Sequence, residues 1–239
     1  MPGLGTIINV VAVMLGGFAG LLFGRVMAKR YQDTLMQANA VCVMFIGIAG
    51  AMQQILKISD GTLTSSGTMM MIGSYALGAL TGEWINLELR MEQFGEWLKV
   101  KTRNERDMAF VDAFVSTSLT VCIGAMAVVG AIQDGINGDY TILAAKAVLD
   151  LIIVMVMTAS MGKGCIFSAI PIALFQGSIT VLARLIQPVM TQQALSNLSL
   201  TGSILIFCVG VNLLWGKRIR VANLLPTIVF AVLWAFLPA

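Results

Sequence analysis

Most of this chain lies in apolar runs of bilayer-crossing length, and its charges fall almost entirely in the short segments between them. Crossing the hydrocarbon core takes about 20 predominantly apolar residues of helix. Eight segments qualify: 5–24, 36–56, 67–86, 110–132, 141–161, 164–186, 197–215 and 222–238. The last is short and contains Pro226, so seven crossings is the alternative. In lipid, backbone polar groups must bond within their own segment, which makes each run a helix. The expected fold is all-α, a polytopic transmembrane helix bundle forming one integral membrane domain over 1–239. At 58% hydrophobic and 11% charged, the chain has too little polar surface to coat a water-soluble globule.

Charge in the loops sets the orientation. Alternate loops hold Arg25, Lys29 and Arg30; Arg90, Lys99, Lys101, Arg103 and Arg106; Lys163; and Lys217, Arg218 and Arg220. That is twelve of the 15 basic residues on one side, against Lys57 and Arg184 on the other. Basic loops stay in the cytoplasm, so both termini face outward. The apolar start, MPGLGTIINVVAVMLGGFAGLLFG, lacks a positive leader region and reads as a retained first span.

The one long loop, 86–107, has its own period. Leu87, Met91, Phe94 and Leu98 recur at helical spacing, while Glu88, Glu92, Glu96 and Lys99 face elsewhere. This pattern predicts an amphipathic helix on the cytoplasmic surface, with Trp97 at headgroup level. Gly16, Gly20 and Gly24 recur every four residues in the first span, as do Ser74, Gly78 and Gly82 in the third. Such faces let helix backbones approach closely. They serve either packing within the monomer or the seam of a homodimer, the expected partner being a second copy within the lipid bilayer. MFIGIAGAMQQ (44–54) and LIFCVGVNLLW (205–215) share a loose cadence in oppositely directed spans, a weak inverted repeat of the kind transporters use.

Several chemistries lack their residues. With no histidine, neither a His-based triad nor the commonest metal ligand is available. Cys42, Cys122, Cys165 and Cys208 sit in apolar runs without CxxC spacing and read as small buried hydrophobes. No phosphate-binding GxxxxGK[ST] motif occurs. No cofactor, metal or nucleic-acid partner is expected. The acids of DGINGDY (134–140) lack the spacing of a calcium loop and mark a tight outer turn.

Against this apolar background, TILAAKAVLDLIIVMVMTAS (141–160) buries Lys146 and Asp150 in one span. Each charge costs about 2.5–3.5 kcal/mol at a helix centre. Four residues apart, they share a helical face and can pair. Buried pairs seldom improve stability over apolar replacements, which favours a functional role over a purely structural one. Polar groups of neighbouring spans join them as candidates for a substrate or ion path. The fourth span supplies Asp112, Ser118, Gln133 and Asp134, and the sixth supplies Ser168, Pro171 and Gln176. Asp112 is equally a first-turn acid facing the helix dipole. A proline at 171 is expected to kink its helix and free the carbonyl of Phe167, giving with Gln176 a polar wall opposite Asp150.

The runs GAMAVVGAIQDGINGD (124–139), FSAIP with QG (167–177), KRIRVANLLP (217–226), the opening GTIINVVAVMLGGFAGLLFG and the Lys146/Asp150 pair resemble the YqgA/YdfK family over essentially the whole chain. The resemblance implies a protein of the bacterial cytoplasmic membrane. It implies no reaction, because that family has no assigned activity.

From the residues, the favoured function is ion-coupled transport or channelling of a small ion or polar solute. In this reading Asp150 binds a cation or proton for which Lys146 competes. The alternative is a non-catalytic assembly or signalling subunit working through the 86–107 helix. Enzymatic function is not expected: an aspartyl protease needs two facing acids, and Asp112 and Asp150 fall at different depths.

Overall fold

The computed structural model describes residues 2–59, 62–105, 107–123 and 125–237. Arg106, Gly124 and residue 238, which figure in the expectations above, lie outside them. In chain order the helices begin with α1 (Leu4–Val26) and α2 (Lys29–Ile55). A hairpin of β1 (Leu56–Ser59) and β2 (Thr62–Ser65) follows, then α3 (Thr68–Ile85) and α4 (Leu87–Lys101). Next come α5 (Phe110–Cys122), α6 (Ala125–Asn137) and α7 (Thr141–Met161). A 3-10 turn, Lys163–Ser168, leads into α8 (Ala169–Val181) and the short α9 (Ala183–Ile186). The chain closes with α10 (Gln192–Trp215), a 3-10 turn Val221–Leu224, and α11 (Pro226–Trp234).

Among the described residues, five helical segments are long and apolar enough to cross a membrane: α1, α2, α7, Lys163–Val181 and α10. The pair α5 and α6 makes a sixth if counted as one span, bent by 62°. The remaining two of the eight expected spans fall short. α3 has 18 residues and carries Ser74, Thr81 and Glu83 among them, while Val221–Trp234 is a shorter apolar helix. The fourth span, expected to be continuous, is broken between α5 and α6. The all-α expectation holds apart from the antiparallel hairpin, in which Leu56 pairs with Ser65 and Ser59 with Thr62.

Glycine decides how the helices dock. A methyl group on Gly16 would fall on the carbonyl oxygen of Leu151, one on Gly20 on that of Met155, and one on Gly24 within 2.9 Å of that of Ala159. The two series rise together by fours, so α1 and α7 run parallel with touching backbones. Gly78 likewise abuts Thr227, and Gly82 abuts Asn223, setting α3 antiparallel against α11. Gly47 meets Phe207, and Gly210 meets Ala40 and Met44, so α2 and α10 are also antiparallel. The Gly16/Gly20/Gly24 face, considered above as a dimer seam, is therefore filled by α7 of the same chain. Between these pairs the core is made by Val13, Phe110, Phe114, Met157, Ile172 and Leu205.

The amphipathic segment α4 is clamped by the loop after α10. Glu88 accepts the backbone N–H of Ala222 (3.0 Å) and pairs with Lys217 (3.0 Å). The Glu88 N–H donates to Asn223 Oδ1 at 2.7 Å. Lys217 also reaches Glu92, and Arg220 reaches Glu83 at 2.5 Å. Asn212 closes the loop by accepting the N–H groups of Arg218 and Ile219, both at 2.9 Å. Glu88, expected on the outer polar face, is thus turned inward and buried. Trp97 remains 56% exposed, stacked on Phe94 with ring centres 5.8 Å apart.

Candidate functional site

Lys146 and Asp150 occupy the face of α7 that looks into the bundle and are 7% and 3% exposed. The ammonium of Lys146 donates to Asp150 Oδ2 at 2.5 Å and to the carbonyl of Val121 at 2.8 Å. The second acceptor follows from the break in the fourth span. The last carbonyls of any helix have no intrahelical donor, and α5 stops at Cys122 before the chain turns into α6. A helix C-terminus also carries partial negative charge, which favours a cation there. Lys146 therefore bridges a carboxylate and the end of a half-helix.

On the other side of Asp150, the side chain of Asn9 from α1 lies beside the carboxylate. Asn9 Nδ2 donates to Gln176 Oε1 of α8 at 3.2 Å. Asn9 and Gln176 are both fully buried. One polar chain thus runs Gln176–Asn9–Asp150–Lys146–Val121 carbonyl through α8, α1, α7 and α5. Toward the N-terminus of α1, the hydroxyls of Thr6 and Thr180 are 3.3 Å apart. At the end of this row Asp134 Oδ2 accepts the N–H of Gly5 at 3.0 Å, capping the start of α1. Asn9 Oδ1, Gln176 Nε2 and Asp134 Oδ1 are buried with no protein partner. Each such atom in an apolar surround costs roughly 1–3 kcal/mol.

Toward the start of α8, a neutral layer continues the seam. The hydroxyls of Thr117 and Thr158 flank the thiol of Cys165, and Ser168 donates to the Cys165 carbonyl at 2.7 Å. Among the sequence candidates, the structure thus brings together Lys146, Asp150 and Gln176 in one layer, with Asp134 above and Ser168 below. The others stand apart. Ser118 bonds back to the Phe114 carbonyl (2.6 Å) and lines, with Pro171, an apolar cavity of about 220 Å³. Gln133 is half-buried near the C-terminal end of α6, and Asp112 is exposed in the first turn of α5.

Two expectations are corrected here. Pro171 stands in the first turn of α8, where helical N–H groups are free anyway, so it opens no kink. Phe167 accepts the Ala169 N–H through its carbonyl, and its ring packs on Phe110 at 5.3 Å. Beside Asp150 stands Asn9, while the Val121 carbonyl takes the Lys146 ammonium. Asp112, expected along the path, lines a separate cavity with Glu88, Glu92 and Lys217, away from the Lys146–Asp150 pair.

The family pattern described as "Protein of unknown function (DUF554)" matches residues 4–236. The chain is 30% identical over 224 residues to an uncharacterized membrane protein, YdfK, of Bacillus subtilis, covering 94% of this chain and 92% of that one. It is 27% identical over 233 residues to the uncharacterized protein YqgA of Escherichia coli, covering 96% and 94%. No solved structure matches.

Proposed function

The chain belongs to the DUF554 family, and from that premise, which supplies no reaction, we propose on its own residues that it is a transport protein for a small cation or polar solute. The path runs between α1, α5, α7 and α8, with Asp150 as the binding group and Lys146 as a tethered cation that competes for it. The observation that carries this reading is the double engagement of the Lys146 ammonium with Asp150 and the Val121 carbonyl. Broken helices at membrane depth are tolerated where they are buried in protein or line a cavity, and transporters use their ends to hold ions. When the lysine moves aside, a carboxylate and a half-helix C-terminus are left for an incoming cation.

The threading that suits this reading has eight crossings, with basic loops in the cytoplasm of a bacterium and both termini outside. Its support is directional: in such a path α1 and α7 descend together while α2 opposes α10 and α3 opposes α11, the directions of the glycine contacts.

The test is flux through reconstituted protein with a panel of monovalent cations, protons and small amino acids. Asp150→Asn removes the charge with little change of shape and should abolish flux while insertion is kept. Lys146→Met/Asp150→Leu should fold at least as well as the parent, since burying no charge is easier than burying two, yet should transport nothing. Parent-like flux in that double variant sinks the proposal.

A second reading, a non-catalytic assembly or signalling subunit, is favoured by one feature. The clamped α4 presents Leu89, Trp97 and Val100 outward on the cytoplasmic side. In that case the double variant keeps its partners and its phenotype.

A further inference from the structure

A second cavity, of about 270 Å³, opens between α2, α4, α5 and α10 beside the clamp on α4. Its floor is apolar, with Met36, Val115, Leu119 and Met161 prominent, and its mouth carries Glu88, Glu92, Asp112 and Lys217. Lys217 is committed to Glu88 and Glu92. Among the described residues no cation pairs with Asp112, so the mouth is left with two unmatched negative charges.

We propose that this cavity binds a small organic ammonium ion, its charged head at Asp112 and Glu92 and its apolar body on Val115 and Leu119. An anion is repelled by the three carboxylates. A bare metal ion finds too few oxygen ligands beyond the mouth, because a hard cation takes about six or more. The volume lies just under the roughly 300–1,000 Å³ of ordinary small-molecule pockets, which limits the guest to about ten heavy atoms. The shared chemistry is a primary ammonium on an apolar body, whether a free amine or the ethanolamine head of a phospholipid. The site stands apart from Asp150 and does not depend on the transport reading.

Calorimetric titration of the purified full chain with 2-phenylethylammonium tests it, beside 2-phenylethanol and 3-phenylpropanoate as neutral and anionic counterparts of similar size. The amine should bind and the other two should not. Asp112→Asn should weaken binding about tenfold or more, the scale of one charge-assisted hydrogen bond. Lys217→Met bares Glu88 and Glu92 and should tighten it. Because that change also loosens the clamp on α4, the amine should raise the melting temperature of Lys217→Met more than that of the parent. Nanodiscs with and without phosphatidylethanolamine separate the two sources, since a lipid occupant lowers the apparent amine affinity. Equal affinity for alcohol and amine, indifference to Asp112→Asn, or no binding of the amine overturns the proposal.

Discussion

At position 9 an amide stands between a carboxylate on one helix and a second amide on another. Asn9→Leu keeps the approximate shape but strips a partner from both neighbours, so it should cost roughly 1–3 kcal/mol. Adding Gln176→Leu should then recover part of the loss, because the polar atoms stranded by the first change are gone. Denaturation of the four species of this cycle in mild detergent measures the coupling. Strictly additive losses would show that the two amides do not act together. Lys146 and Asp150 were legible in the sequence because a charge in a run such as TILAAKAVLDLIIV has no other reason to be tolerated. Asn9 was not, since a single amide in GTIINVVAV attracts no notice until its partner, 167 positions away, is brought beside it. The Val121 carbonyl was invisible for a different reason: backbone acceptors become available only where a helix ends.

Among the elements, two helical glycines make opposite predictions. Gly20 has the Met155 carbonyl where a side chain would be, so Gly20→Ala should force α1 off α7 and cost about 1–3 kcal/mol. Gly177 has open space, so Gly177→Ala should stabilise α8 by about 0.5–1 kcal/mol through lost backbone freedom. Melting curves of the two single variants, measured side by side, check the contrast; the same sign for both would mean the α1–α7 contact is looser than the structure has it. Spacing by fours revealed that these faces pack closely, but not on what, because the partner helix is far away in sequence. The hairpin Leu56–Ser65 has a signal that apolar runs do not carry: Asp60–Gly61 between Leu-Lys-Ile-Ser and Thr-Leu-Thr-Ser is a favoured hairpin dipeptide. Clamping of α4 was hidden because helical periodicity assigns Glu88 to the polar face without knowing that Asn223 and Lys217 wait there.

For the whole molecule, the proposed threading puts the hairpin outside and α4 inside. In a background without the four native thiols, Leu63→Cys should react with an impermeant maleimide on intact cells, and Val100→Cys only after the membrane is opened. Both positions are well exposed, so labelling of Val100→Cys from outside would overturn the orientation. Span number was the coarsest part of the reading, because length and hydropathy settle long helices such as α1 and α10 but not α3 or the helix after Pro226. The pairing of α1 with α7, α2 with α10 and α3 with α11 has a consequence in time. The helices α1, α2 and α3 each find their main partner only in the second half, while α4 packs mainly on its neighbour α5. At about 5–20 residues per second of synthesis, the glycine stripe of α1 waits on the order of ten seconds, open to lipid, before α7 emerges to cover it. Neither half is then a folding unit, and a ribosome that stalls after α4 leaves a fragment with three uncovered seams, a natural substrate for membrane proteolysis. The same logic makes the two halves, expressed as separate chains, obligate partners that accumulate only together.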